Sequence, residues 1–154
     1  MVLCLAQHGR AYSEAEDSER RLTPEGVAET ERVAKLLAAS GVRLSAVFHS
    51  GRARARQTAE IFARFLGGSV AEAEGLGPND DPSLWASRAG GLSGGVMLVG
   101  HLPHLSRLLS LLVVGDPDVE VVRFVYSGVV GLEPSGGGGR WRVVWYVTPN
   151  ITPP

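Results

Sequence analysis

Imidazole and guanidinium groups recur in this sequence just behind short apolar runs. His8 follows the run at residues 2–6, His49 and Ser50 follow Ala46-Val47-Phe48, and His101 and His104 follow residues 96–99. Arg52, Arg54 and Arg56 come at alternate positions after the second run. Such groups near a helix N-terminus suit an oxyanion, most naturally phosphate. A neutral imidazole in that setting is also a competent nucleophile toward phosphorus. Phosphoryl transfer through a histidine needs one nucleophilic nitrogen and fixed positive donors for the three non-bridging oxygens. Arginine and histidine can supply that charge without a metal. No pair among the four histidines has the spacing of a known metal motif.

The elements that must carry these residues alternate between strand and helix. Residues 2–6, 46–48 and 96–99 are short apolar runs of the kind that form strands buried on both faces. Thr23-Pro24-Glu25 reads as a helix start, with a capping threonine, proline at the first turn and an acid at the positive end of the dipole. Its helix carries Val27, Ala34, Leu37 and Ala38 on one face and stops at Ser40-Gly41. After Ser50-Gly51 a second helix runs to Leu66 with Ala55, Ala59, Phe62 and Leu66 at helical spacing. Residues 69–73 suggest an edge strand, and residues 75–95 a loop with a short helix near Leu84-Trp85. Pro103 opens a helix through Leu105, Leu108, Leu109 and Leu112.

Residues 121–126, 129–132 and 141–147 read as strands, the last two joined by the Gly136 to Gly139 run as a hairpin. The charged stretch around residues 14–21 reads as a solvated loop, and residues 148–154 as irregular. Alternation of this kind implies an α/β sandwich around a largely parallel sheet. Ligands of such sheets bind at the carboxyl ends of the strands. Three connections distant in sequence should therefore meet on one edge, bringing imidazole and guanidinium groups within reach of one another.

Composition narrows the classes. A chain of 154 residues with 44% hydrophobic and 20% charged residues has the size of one domain, taken as residues 1–154. No apolar run approaches the roughly 18–20 residues that span a bilayer. The apolar N-terminus lacks the basic segment of a secretory signal, so a cytoplasmic protein is expected. Cys4, the single cysteine, has no internal disulfide partner and reads as a buried thiol. A net charge of −1 gives no global field to attract nucleic acid or a membrane.

Four segments carry a resemblance. Gln7-His8-Gly9, Leu22-Thr23-Pro24-Glu25-Gly26, the stretch from Ser50 through Arg54 to Gln57-Thr58, and Gly100-His101-Leu102-Pro103 resemble the ordered motifs of the histidine phosphatase superfamily. The short chain is most similar to its SixA-like branch, the phosphohistidine phosphatases. The resemblance implies a three-layer sandwich of the phosphoglycerate mutase-like type and a hydrolase that needs no cofactor. It implies His8 as the nucleophile, with Arg54 and His101 completing the catalytic set, and phosphate contacts from Gln7, Gly9, Arg54 and His101. The choice of Arg54 over Arg52 and Arg56 comes from the resemblance; helical spacing leaves the three open.

The sequence departs from the family pattern at position 7, where Gln7 stands in place of the motif's first arginine. Glutamine still donates N–H bonds but lacks the fixed charge and the bidentate fork. Losing one charged contact to a transition-state oxyanion costs about 2–4 kcal/mol. A slower reaction, a changed substrate or compensation by a neighbouring arginine are the outcomes to expect. Larger family members place a carboxylic acid to protonate an alkoxide leaving group; the candidates here are Asp80 and Asp81.

The expected reaction is hydrolysis of phosphohistidine on a protein through a phosphorylated His8. Its leaving group is an imidazole, for which a strong acid is dispensable, and a short chain without a lid suits a protein surface. A phosphatase acting on a small phosphoester, and a phosphate- or phosphoprotein-binding module that has lost catalysis with the arginine, are the alternatives.

Overall fold

The computed structural model describes residues 2–154. Strand β1 (Leu3–Gln7), helix α1 (Pro24–Ala39), β2 (Ala46–His49), α2 (Ala53–Leu66), β3 (Ser69–Glu72), α3 (Ser83–Ala89), β4 (Val96–Gly100), α4 (His104–Val114), β5 (Val129–Pro134) and β6 (Trp141–Val147) follow in that order. One six-stranded sheet has the order β3-β2-β4-β1-β5-β6. The pairs β2–β3, β2–β4 and β1–β4 are parallel, while β5 pairs antiparallel with both β1 and β6.

The sheet is covered on both faces, as mostly parallel sheets require. Successive side chains of β1 and β4 point to opposite faces, so each strand feeds two cores. Cys4, Ala6, Met97 and Val99 join Val33 and Leu37 of α1 and Ala59 and Phe62 of α2. Leu3, Leu5, Val96 and Leu98 join Trp85 of α3 and Leu105, Leu108, Leu109 and Leu112 of α4. The result is a three-layer sandwich of the phosphoglycerate mutase-like type.

The helix signals read from sequence act through identifiable bonds. The Thr23 side chain accepts a 3.0 Å hydrogen bond from Gly26 N–H, capping α1. Gly67 ends α2 at φ 88°, a conformation that glycine adopts without a Cβ penalty. No helix among the described residues is long and apolar enough to cross a membrane.

One stretch differs from its sequence pattern, and two expected to be irregular are so but are pinned by specific bonds. Residues 121–126 alternate like a strand but form none. β5 is already paired on both sides by β1 and β6, so the sheet offers no edge there. The segment instead buries Phe124, exposes Val125 and Tyr126, and turns through Ser127 at φ 61°. The charged stretch before α1 is the exposed loop its composition implies, and it is bonded into place. Ala11 and Leu22 form an antiparallel bridge, Tyr12 N–H donates to Arg21 O at 3.0 Å, and Arg21 pairs with Asp17 at 2.9 Å. The tail forms a single 3-10 turn over Pro149–Ile151, tied to α1 by Arg32 Nε donating to Thr152 Oγ1 at 3.2 Å.

The chain leaves β1 for α1 on one face and leaves β4 for α4 on the other. β1 and β4 are neighbours, with Gln7 opposite Gly100. Their carboxyl ends therefore part to form a crevice, the place where ligands enter open α/β sheets.

Candidate active site

His8 sits at the tip of β1, directly in that crevice. Its N–H donates to Gly100 O at 3.1 Å, across to β4. On the other side Ser127 N–H donates to Gln7 O at 3.1 Å and to His8 O at 3.3 Å. Gly9 N–H donates to Thr58 Oγ1 at 2.9 Å, and that hydroxyl donates to Arg54 O at 2.8 Å. One threonine thus links the turn behind the histidine to the residue bearing the arginine. Gly9 is required sterically, because a Cβ there would lie 2.8 Å from Thr30 Oγ1.

His8 is 7% exposed. Its Nδ1 lies 2.8 Å from Gly9 O. A carbonyl only accepts, so Nδ1 carries the proton and Nε2 holds a lone pair. Burial pushes the ring pKa down to about 4; the Gly9 bond opposes this, and the charges of Arg54 and Arg20 reinforce it. Near neutral pH, His8 is an uncharged imidazole with a free nitrogen.

His101 begins the β4–α4 turn. Its ring centroid is 4.9 Å from that of His8. Burial, followed by the proximity of His8 and Arg54, holds it neutral with a pKa near about 3. Ser50 Oγ lies 2.6 Å from His101 Nε2, so the β2–α2 turn grips the second imidazole. Arg54, in the first turn of α2, is 9% exposed, and its Nε is buried without a hydrogen-bond partner among the described residues. Burial and the neighbouring charges of Arg20 and Arg52 hold its pKa below the usual arginine value. A buried N–H donor left unpaired costs about 1–3 kcal/mol, which an anion in the crevice would recover.

The structure therefore brings His8, Arg54 and His101 to one crevice, with the Gly9 turn behind them. Gln7 also lies at this edge. It is buried, its Oε1 has no hydrogen-bond partner among the described residues, and it lines an open hollow of about 480 Å³ with Arg10, Arg123 and Tyr126. Asp80 and Asp81 lie across the crevice on the loop before α3. With Ser50, Arg52 and Glu74 they line a second open hollow, of about 610 Å³. Their carboxylates are engaged in local turns: Asp80 accepts from Gly77 N–H at 2.8 Å and Asp81 from Ser83 N–H at 2.9 Å. The backbone hydrogen bond from Ser83 holds the Asp81 carboxyl below the usual carboxylate range.

Other polar residues separate from the site. His49 Nδ1 accepts from Gly51 N–H at 3.0 Å and shapes the turn into α2. His104 is fully buried against the Pro78 loop, its N–H donating to Pro78 O at 3.1 Å. Arg56 is an exposed helix charge facing Glu60 at 3.5 Å. Tyr126, whose ring is 5.6 Å from that of His8, reaches the site from a segment whose alternation suggests a strand, and Arg20, whose charge reaches His8 and Arg54, comes from the charged stretch before α1, which carries no periodic signal. The grip of Ser50 on His101 depends on side-chain geometry that a linear pattern does not encode.

Known proteins share this chain's sequence pattern and fold. Residues 3–77 match the histidine phosphatase superfamily (branch 1). An uncharacterised protein of Picosynechococcus sp. is 31% identical over 140 residues, covering 86% of this chain and 84% of its own. The structure of the protein histidine phosphatase SixA complexed with tungstate superposes with a TM-score of 0.83 at 26% identity, covering 97% of this chain and 98% of that one. The alpha-ribazole phosphatase from Shigella flexneri shares the fold, with a TM-score of 0.76 at 14% identity over 93% of this chain and 94% of that one. The chain belongs to the histidine phosphatase superfamily, in its SixA-like branch.

Proposed function

We propose that this protein is a phosphatase that removes the phosphoryl group from phosphohistidine on a protein, through a covalent intermediate on His8. The observation that carries the reading is the pairing of a free, neutral Nε2 on His8 with the unpartnered buried N–H of Arg54. The lone pair of Nε2 attacks phosphorus as the P–N bond of the substrate breaks. The departing imidazole takes a proton from solvent. Arg54, His101 and Gln7 hold the non-bridging oxygens, whose charge is stabilised best in the transition state. Water then attacks the phosphorus of phospho-His8, the P–Nε2 bond breaks, and phosphate leaves with the proton given up by water.

Two features support a protein substrate. The crevice opens to solvent between two shallow hollows, and the imidazole leaving group makes no demand on the carboxylates tied into turns at residues 80 and 81. Similarity to SixA at 26% identity points the same way. The position of Asp80 and Asp81 beside Ser50 favours a second reading, a small phosphoester whose leaving oxygen one of them protonates. Rapid quench with a labelled phosphohistidine protein and with p-nitrophenyl phosphate decides between them. An acid-labile, base-stable label on the wild type, lost in His8→Ala, is expected with the phosphoprotein. Turnover that survives His8→Ala would overturn the mechanism. Binding without turnover would mark a binding module.

A further inference from the structure

The site holds its anion with too little formal charge if position 7 is the second contact, because Gln7 is neutral. The arginines around the crevice are not equivalent replacements. Arg10 reaches toward Tyr126 but is neutralised by Glu25 at 3.0 Å and Glu29 at 3.3 Å. Arg52 is exposed and lines the hollow on the His101 side. Arg20 is half-buried and makes no ion pair among the described residues.

The backbone around Arg20 is built to aim it. Residue 20 adopts φ 52°, a left-handed conformation uncommon outside glycine, asparagine and aspartate. Its N–H donates to Asp17 O at 2.9 Å, and its Nε donates to Tyr12 O at 3.1 Å. Two residues on, Leu22 N–H donates to Gln57 Oε1 at 2.8 Å, one helical turn from Arg54 on α2. The loop is thus tied to the helix that carries Arg54, and the Nε bond fixes the guanidinium while both terminal nitrogens stay free of protein partners among the described residues. A non-glycine residue in strained backbone beside a reactive group is where function is often found. The Arg20 charge is also felt by both His8 and Arg54.

We propose that Arg20 completes the phosphoryl cradle: its free terminal N–H groups contact a non-bridging oxygen and supply the positive charge that Gln7 does not. This rests on the phosphoryl-transfer reading above. Arg20 and Arg54 then flank the phosphorus from the β1–α1 loop and from α2, while His101 closes the third side. The cation that balances the phosphoryl group comes from a mobile-looking charged loop that is in fact bonded into place.

The test uses the full chain with tungstate as the anion probe, alongside turnover of a phosphohistidine protein. Arg20→Asn removes the charge but tolerates the left-handed backbone, and a thermal melt checks the fold. Expected are at least a tenfold loss of tungstate affinity and roughly a 10²–10³ loss of kcat/KM. Arg20→Lys or added Gln7→Arg should recover at least tenfold of the loss. Wild-type affinity and turnover in Arg20→Asn would overturn the proposal, as would a loss that neither Arg20→Lys nor Gln7→Arg restores. Wild-type tungstate binding without His8-dependent turnover would instead strike at the phosphatase reading, leaving the affinities to judge Arg20.

Discussion

On one side of the crevice His8, Arg54 and His101 are each at least nine-tenths buried, and on the other Glu74, Asp80 and Asp81 stand in solvent. The first group is fixed by contacts between distant segments: β1 to β4, the Gly9 turn to α2, and the β2–α2 turn to His101. In the second, Asp80 and Asp81 are held by bonds spanning two or three residues, and Glu74 pairs with Arg88 of α3 at the surface. Preorganised donors in a dry site are worth far more than the same groups in water. The comparison teaches that the fold commits itself to the phosphoryl group and leaves the leaving-group side adjustable. Substrate choice within the superfamily can then change without rebuilding the half that does the chemistry.

Arg54→Ala should break the buried half most severely. A kcat/KM loss of about 10²–10³ is expected in steady-state assays with a phosphohistidine protein. A loss below threefold would mean that the buried guanidinium does not face the reacting group.

Acid should act next. Neutral His8 is the competent form and its pKa is pushed down to about 4, so kcat/KM should hold from neutral pH toward 5 and fall roughly tenfold per unit below about 4. The same depression has a stability consequence of defined sign. Unfolded His8 titrates near about 6.5, so the unfolded chain binds more protons between that value and about 4. Resistance to urea should therefore decline as the pH is lowered through this window, and added tungstate should offset part of the decline. A midpoint that rises on acidification would contradict the buried neutral imidazole.

Ser50→Ala should cost about tenfold in kcat/KM, the equivalent of one lost hydrogen bond to His101, with the melt little changed. Asp80→Asn and Asp81→Asn should have the smallest effect, within about threefold on a phosphohistidine protein, because departing imidazole needs no strong acid. A loss above tenfold on p-nitrophenyl phosphate for one of them would shift the assignment toward a small phosphoester.

Most of the architecture could be read in advance because local signals and tertiary packing agreed. The Thr23 cap, the Ala55-Ala59-Phe62-Leu66 face and the apolar runs of β1 and β4 all serve the burial that their patterns implied. Residues 121–126 misled because alternation reports a half-buried face, not the presence of a free sheet edge. At the site, strand ends gave His8 and His101 their places, but only the resemblance singled out Arg54 from its neighbours. Arg20 was hidden in a charged stretch whose composition resembles a solvated loop. The bonds that fold it, from Tyr12, Asp17 and Gln57, join residues with no shared period.

β1 is an interior strand, flanked by β4 on one side and β5 on the other. In heavy water its amides can exchange only when the whole sheet comes apart, whereas those of residues 74–81 need only a local opening. Deuterium uptake should accordingly be slowest along the segment that ends in His8 and rapid across the crevice. The placement of His8 is then insured by the cooperativity of the entire molecule, and mild destabilisation of the core should lower the amount of folded protein before it loosens the geometry of the imidazole.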